Sequence, residues 1–256
     1  MARYRYDGTF EGFLCAAVCV LDSGEAVEFL HGRDMADEGL FAGEIREVTT
    51  LRETALRFRE RFVAAVSRDA FGTARYAFHS RAAGIELLVW RYIRLGLEVG
   101  KQLHRMLAEE PVWSINRIAR RVAHEAHKFK GFVRFREVEW SDQTFVYAAI
   151  EPDADILAFI APHFTERVGD RPWMIHDLAR SQAAVYDLKV WRLIRDIDLA
   201  ATPAYTPGEE ACVRLWRGYF EHLAIPERRN PKLQRHHVPV KYRRNLVEFN
   251  GSWYKE

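Results

Sequence analysis

Three groups of residues have types and spacing that chemistry could use. His124 and His127 lie three apart, with Glu125 between them. On a helix this puts both imidazoles on one face, as two metal ligands would be. No third ligand follows at a matching distance, and the second His comes one position early for HExxH, so no metal site is expected. The second group is His163, and the third is the pair His176-Asp177. An imidazole oriented by a carboxylate can serve as general acid or base. His127, His163, His176 and Asp177 are therefore the candidate catalytic residues. The plainer reading of the three histidines is a packed or backbone-satisfied imidazole. The chain has no GxSxG turn and no glycine-rich phosphate loop. Nucleotide hydrolysis and dinucleotide cofactors are not expected, and no cofactor is predicted.

The cations give a stronger signal. Formal net charge is +2 over 256 residues, but the charges segregate. Between Arg117 and Arg136 stand seven Lys/Arg and one Glu; between Arg214 and Arg244, nine and two. From Leu21 to Glu60 the balance reverses, with ten acids against five bases. Basic rows hold phosphate backbones by releasing counterions, without reading sequence. Phe132 and Phe135 lie among the central cations and could stack bases. The expected nucleic-acid contacts are Arg120, Arg121, Lys128, Lys130, Arg134, Arg136, Arg167, Arg180, Arg229, Gln234, Arg235 and Lys241. A solvated basic surface, or a grip on an acidic protein, is the alternative.

The elements that must position these residues can be read from periodicity. Hydrophobic residues make up 48% of the chain, enough for a substantial core. Arg3 to Tyr6 reads as a strand, Asp7-Gly8 as a turn, and Thr9 as the cap of a helix carrying Phe10, Phe13, Leu14 and Ala17. Ser23-Gly24 ends that helix, the stretch from there to Gly43 reads as loop with at most short strands, and Ile45 to Thr49 reads as a strand. Leu51 onward turns helical. Pro111 is expected to break the chain, and Ser114 to cap a basic helix carrying Ile115, Ile118 and Val122. A β-hairpin is expected from Phe129–Val138 with Thr144–Ile150, then a helix after Asp153 and a strand at Trp173–Ile175. Ala179 to Asp187 reads as a short helix or turn, and Val190 to Ile194 as a strand. Glu209 to Leu223 reads as a helix with Cys212, Leu215, Trp216, Tyr219 and Leu223 inward. The expected fold is α+β: a helix-rich body over residues 1–200 with a small antiparallel sheet (a central β-β-α-β unit), then a C-terminal helix and extended basic arm over 201–256 packed on it.

Three cysteines without disulfide spacing fit a reducing compartment. There is no apolar run of 18 residues and no signal-peptide core in MARYRYDG. A cytoplasmic protein without membrane contact is expected.

Four segments carry a resemblance: YDGTFEGFLCA, EAHKFKGFVRF, IAPHFTER with PWMIHD, and RNPKLQRHHVPVKYRRNLVEF. In this order they resemble a bacterial family of DNA-metabolism or DNA-repair proteins. Its members are usually encoded beside a radical-SAM protein of DNA modification, and are sometimes fused ahead of a uracil-DNA-glycosylase-like domain. The matched positions are Asp7, Gly8, Phe10 and Gly12; His127, Lys128, Lys130, Gly131 and Arg134; His163, Arg167, Trp173, His176 and Asp177; and Arg229, Asn230, Pro231 and Gln234. The chain ends at Glu256 without such a fusion, so action alone or beside a separate partner is expected. The resemblance implies a DNA-binding accessory role in repair or modification, with DNA and the radical-SAM protein as partners. A glycosylase- or nuclease-like enzyme centred on the four candidate residues is one alternative, and a protein-interaction subunit the other.

Overall fold

A computed structural model describes residues 2–24, 27–32, 45–140, 143–197, 204–223 and 225–249. Its contacts cluster into two compact units, Met1–Ala123 and His124–Glu256. The boundary expected near residue 200 falls inside the second unit.

In the first unit, strand β1 (Ala2–Tyr6) alternates as the sequence does: Tyr4 and Tyr6 are buried while Arg3 and Arg5 are part-exposed. It is the middle strand of a wholly parallel sheet, between β2 (Val27–Gly32) and β3 (Ile45–Glu47). Strand β2 is a short strand within the stretch read mainly as loop; residues 25–26 and 33–43 of that stretch are outside the described residues. Gly8 takes φ 78°, and the Asp7 carboxylate accepts from the Thr9 N–H at 2.9 Å and its hydroxyl at 2.6 Å. Thr9 then caps helix α1 (Phe10–Ser23) by accepting from the Gly12 N–H at 2.8 Å. A Cβ at Gly12 would collide with the Asp7 carboxylate, so the run from Tyr6 to Gly12 is one tight strand-to-helix turn.

Helices α2 (Arg52–Ala65), α3 (Arg68–Phe78) and α4 (Ile85–Val99) follow. A short 3-10 stretch, Gly100–Arg105, leads to the long helix α5 (Glu110–Phe132). Pro111 does not break this chain: it sits in the first turn of α5, where its missing N–H costs nothing. Ser114 is accordingly inside the helix, not its cap. Val112, Ile115 and Ala119 from α5 join the aromatic core of α1 to α4.

In the second unit α5 continues through Phe132, which corrects the expected strand start at Phe129. Ala126, Phe129 and Val133 are all buried, at helical spacing. That burial outweighs the helix cost of exposed Gly131, about 1 kcal/mol. Strand β4 (Arg136–Trp140) pairs antiparallel with β5 (Gln143–Ile150), the expected hairpin with a shorter first arm. Helix α6 (Leu157–Arg167) follows, then β6 (Trp173–Asp177), completing the β-β-α-β order. Here β5 and β6 run parallel, so the sheet is mixed, not antiparallel. Strand β7 (Gln182–Tyr186) replaces the expected helix or turn, its Ala183, Ala184 and Tyr186 being buried. With β8 (Trp191–Ile194) and β9 (Ala204–Tyr205) the order is β8-β7-β6-β5-β4-β9. The α+β class holds.

Two further expectations change. Helix α7 (Pro207–Leu223) forms, but Cys212, Leu215, Trp216, Tyr219 and Leu223 are exposed, Leu215 at 73%. Period reveals an apolar face; it does not say that the face is covered. The tail is also no extended arm. Asn230 caps α8 (Pro231–His237) by accepting from the Leu233 N–H at 2.9 Å, with Pro231 at the helix start. Two 3-10 turns, Val240–Asn245 and Val247–Phe249, follow and bury Leu246 and Glu248. Among the described residues no helix is long and apolar enough to cross a membrane.

Candidate functional site

The end of α5, strand β4, the end of α6 and the first half of α7 surround a cavity of about 880 Å³ in the second unit. Five cations line it: Lys130, Arg134, Arg136, Arg167 and Arg171. Four of these were singled out from the sequence, and the fold brings them to one place. Glu137, Glu209, Phe135, Phe164 and Trp216 line it as well.

The five cations are not equivalent. Arg134 donates to the Glu248 carboxylate through Nη2 at 2.7 Å and Nε at 3.4 Å, and through Nη1 to the Gly131 and Val133 carbonyls. Trp216 donates to the same carboxylate at 3.2 Å. Arg136 pairs with Glu209 at 3.3 Å and stacks on the Tyr205 ring at 3.3 Å from its centre. Arg171 pairs with Glu137 at 3.2 Å with most of its length in solvent. Lys130 and Arg167 have no acidic partner among the described residues. Both press on His163, whose pKa lies below the ordinary value, first through loss of solvation and then through the positive fields of Lys130 and Arg167.

The four candidate catalytic residues lie on three elements, α5, α6 and β6. His127 is exposed on α5, and His163 is part-buried on α6 with its ring edge-on to Phe164. His176 and Asp177 are successive residues of β6 and so point to opposite faces. His176 is buried against the Tyr147 hydroxyl at 3.0 Å, and burial lowers its pKa. Asp177, fully buried, accepts from Arg180 at 2.6 Å and from the Ala179 N–H at 3.1 Å. Burial raises the Asp177 pKa, against the opposing pull of Arg180 and that N–H. No group of three or more His, Cys, Asp or Glu among the described residues is placed to hold a metal ion.

The remaining expected phosphate contacts are scattered. Arg180 also donates to the Pro152 carbonyl at 3.2 Å and the Asp153 carbonyl at 2.5 Å, so it fastens the loop after β5. Lys241 pairs with the Asp153 carboxylate. Arg120 and Arg121 are exposed on the part of α5 that belongs to the first unit; Lys128 is part-buried further along. Arg229 precedes α8, while Gln234 and Arg235 lie on it.

Sequence reasoning missed the buried acids that fasten this unit. Glu125 is buried and accepts from the Asp153 N–H at 2.8 Å, the Ala154 N–H at 2.9 Å and the Tyr242 hydroxyl. It ties α5 to the loop before α6 and to the tail. Glu209 and Glu248 act likewise on Arg136 and Arg134. One signal was present: Glu125 is the single acid among seven bases in its segment.

Comparison with known proteins adds a family but no activity. Residues 83–248 match the family model described as a domain of unknown function, DUF4130. No curated protein matches the chain, and no solved structure matches it.

Proposed function

We propose that this chain, which belongs to the DUF4130 family, is a DNA-binding accessory protein that takes DNA phosphates at the cationic cavity of its second unit. The observation that carries the reading is the pair Lys130 and Arg167: two cations at one concave site, without acidic partners among the described residues, beside three arginines held by carboxylates. Cations left uncompensated in a cavity attract an anion, and exchange of counterions would supply the affinity. The resemblance of the four motifs adds a pathway to the proposal, DNA repair or modification beside a radical-SAM protein. An enzymatic role centred on His127, His163, His176 and Asp177 draws no support from their separate placements.

The test is DNA binding by the full chain across a salt series. Affinity for single-stranded DNA should fall steeply with salt. In the double variant Lys130→Gln/Arg167→Gln it should be weaker, with the log–log slope shallower by roughly 0.7 for each phosphate charge the pair neutralises. Absence of binding at low salt to both single- and double-stranded DNA would sink the reading.

A protein-interaction role is favoured by a different observation. Helix α7 exposes Leu215, Tyr219 and Leu223, with Arg214 and His222 beside them. Exposed apolar faces of this kind are where protein partners dock. Leu215→Glu should abolish copurification with the radical-SAM partner while leaving DNA binding unchanged, if the two roles use separate surfaces.

A further inference from the structure

The charge count at the cavity says more about the anion than its sign. Arg134, Arg136 and Arg171 each meet one carboxylate, from Glu248, Glu209 and Glu137. Arg134 has its three nitrogens engaged within the protein. What remains is close to two positive charges, on Lys130 and Arg167. An internal phosphodiester brings one negative charge; a phosphomonoester brings about 1.5 to 2 at neutral pH, with three acceptor oxygens. At a single phosphorus the second answers both cations and the first only one. A low-dielectric wall sharpens this preference, because Phe135, Phe164 and Trp216 line the same space.

Size points the same way. A volume of 880 Å³ lies in the range of small-molecule sites. It corresponds to a cube about 10 Å on a side, narrower than the major groove of a duplex alone, about 12 Å. One nucleotide unit fits within it.

We infer that the cavity binds a phosphomonoester, carried by a nucleotide unit, with Lys130 and Arg167 as its two charge partners. This rests on the reading of the cavity as the DNA-phosphate site. The group can come from a phosphorylated strand end or from a free nucleotide.

Calorimetric titration of the full chain separates these sources. The probes are single-stranded ten-nucleotide DNAs with a 5′-phosphate, a 3′-phosphate or neither, together with dAMP and deoxyadenosine. One phosphorylated DNA, or dAMP, should bind at least roughly tenfold more tightly than its unphosphorylated counterpart. That advantage should disappear in Arg167→Gln and in Lys130→Gln. Arg167 is exposed at a helix end, so its replacement keeps the test meaningful should Lys130→Gln fold poorly. A strand-end site prefers a phosphorylated DNA over dAMP, and a free-nucleotide site does the reverse. Equal affinity with and without the phosphate overturns the inference. If those equal affinities still fall in the two variants, the DNA reading survives alone. If dAMP binds through Lys130 and Arg167 but no DNA binds, the phosphomonoester site survives and the DNA reading does not.

Discussion

The two units bury different things. The first has a continuous apolar core in which Phe10, Phe13 and Phe78 pack ring to ring at 5.1 to 6.0 Å. Its one buried polar side chain among the described residues is Ser114. The second unit buries Glu125, His176, Asp177, Glu209 and Glu248. Each of its four buried carboxylates accepts from a remote or turn-forming donor. Three of them, Asp177, Glu209 and Glu248, take up arginines that look free in the sequence. A basic stretch in the second unit is therefore first a set of structural latches; only what the latches leave over is available to a ligand.

The largest effect should come from the apolar unit. Phe13 is fully buried and touches the rings of Tyr6, Phe10 and Phe78. Phe13→Ala should cost about 4 kcal/mol, since the loss of burial is joined by a cavity that four helices cannot close. Hydrogen exchange should show the loss of protection in α1 to α4. A cost below about 1 kcal/mol, measured in urea, would mean that this core is not the continuous packing described.

Next comes the latch at the cavity. Glu248 has 4% of its side chain exposed and Arg134 27%. Glu248→Gln leaves the guanidinium facing a neutral amide, with only weak compensation. A buried pair broken on one side costs about 3 kcal/mol, less where one partner reaches solvent, so roughly 2 kcal/mol is expected. Exchange should speed up around β4 and the Val247–Phe249 turn. If stability is unchanged and only DNA binding falls, Arg134 is a ligand contact, and the contrast between latch and site fails at its clearest example.

That contrast also marks how far the sequence could be read. The turn from Tyr6 to Gly12 was legible because Asp7, Gly8 and Thr9 act on their own neighbours. The α+β class and the β-β-α-β order were legible from periodicity. The extent of α5 was not. Phe129 and Val133 fit a period of two and a period of 3.6 equally well, and only burial of both decides. The pairings Arg134–Glu248 and Arg136–Glu209 span 114 and 73 residues. No local pattern carries such a pairing, so every arginine read as equally free. The exposed face of α7 failed for a related reason: amphipathicity shows where a partner would sit, and tertiary structure shows whether one does.

A smaller effect concerns pH. The folded His176 has a pKa below the ordinary value because burial disfavours its charged form. The unfolded chain therefore binds this proton more readily than the folded one. Stability is full above about pH 6.5, the unfolded value, and declines as pH falls below it. Asp177 works in the opposite sense, since its folded pKa is raised by burial. Urea midpoints at pH 7.5 and 5.5 should therefore differ less in His176→Gln than in the parent protein. An identical difference in both would remove His176 from the acid response and with it this sign of buried charge in the second unit.

The smallest expected effect is the most discriminating. Lys130→Gln/Arg167→Gln should change stability by less than about 0.5 kcal/mol, because neither cation holds an acid among the described residues and the pair lies close enough for both to bear on His163. Relief of that positive field should move the His163 pKa upward, which imidazole proton shifts in an NMR titration would report. A gain in stability would fit better still with a binding site, where like charges are kept together for a ligand at some expense to the fold. A loss of 2 kcal/mol or more would instead place Lys130 and Arg167 among the latches. The second unit would then hold no surplus of positive charge, and the cavity no electrostatic claim on phosphate.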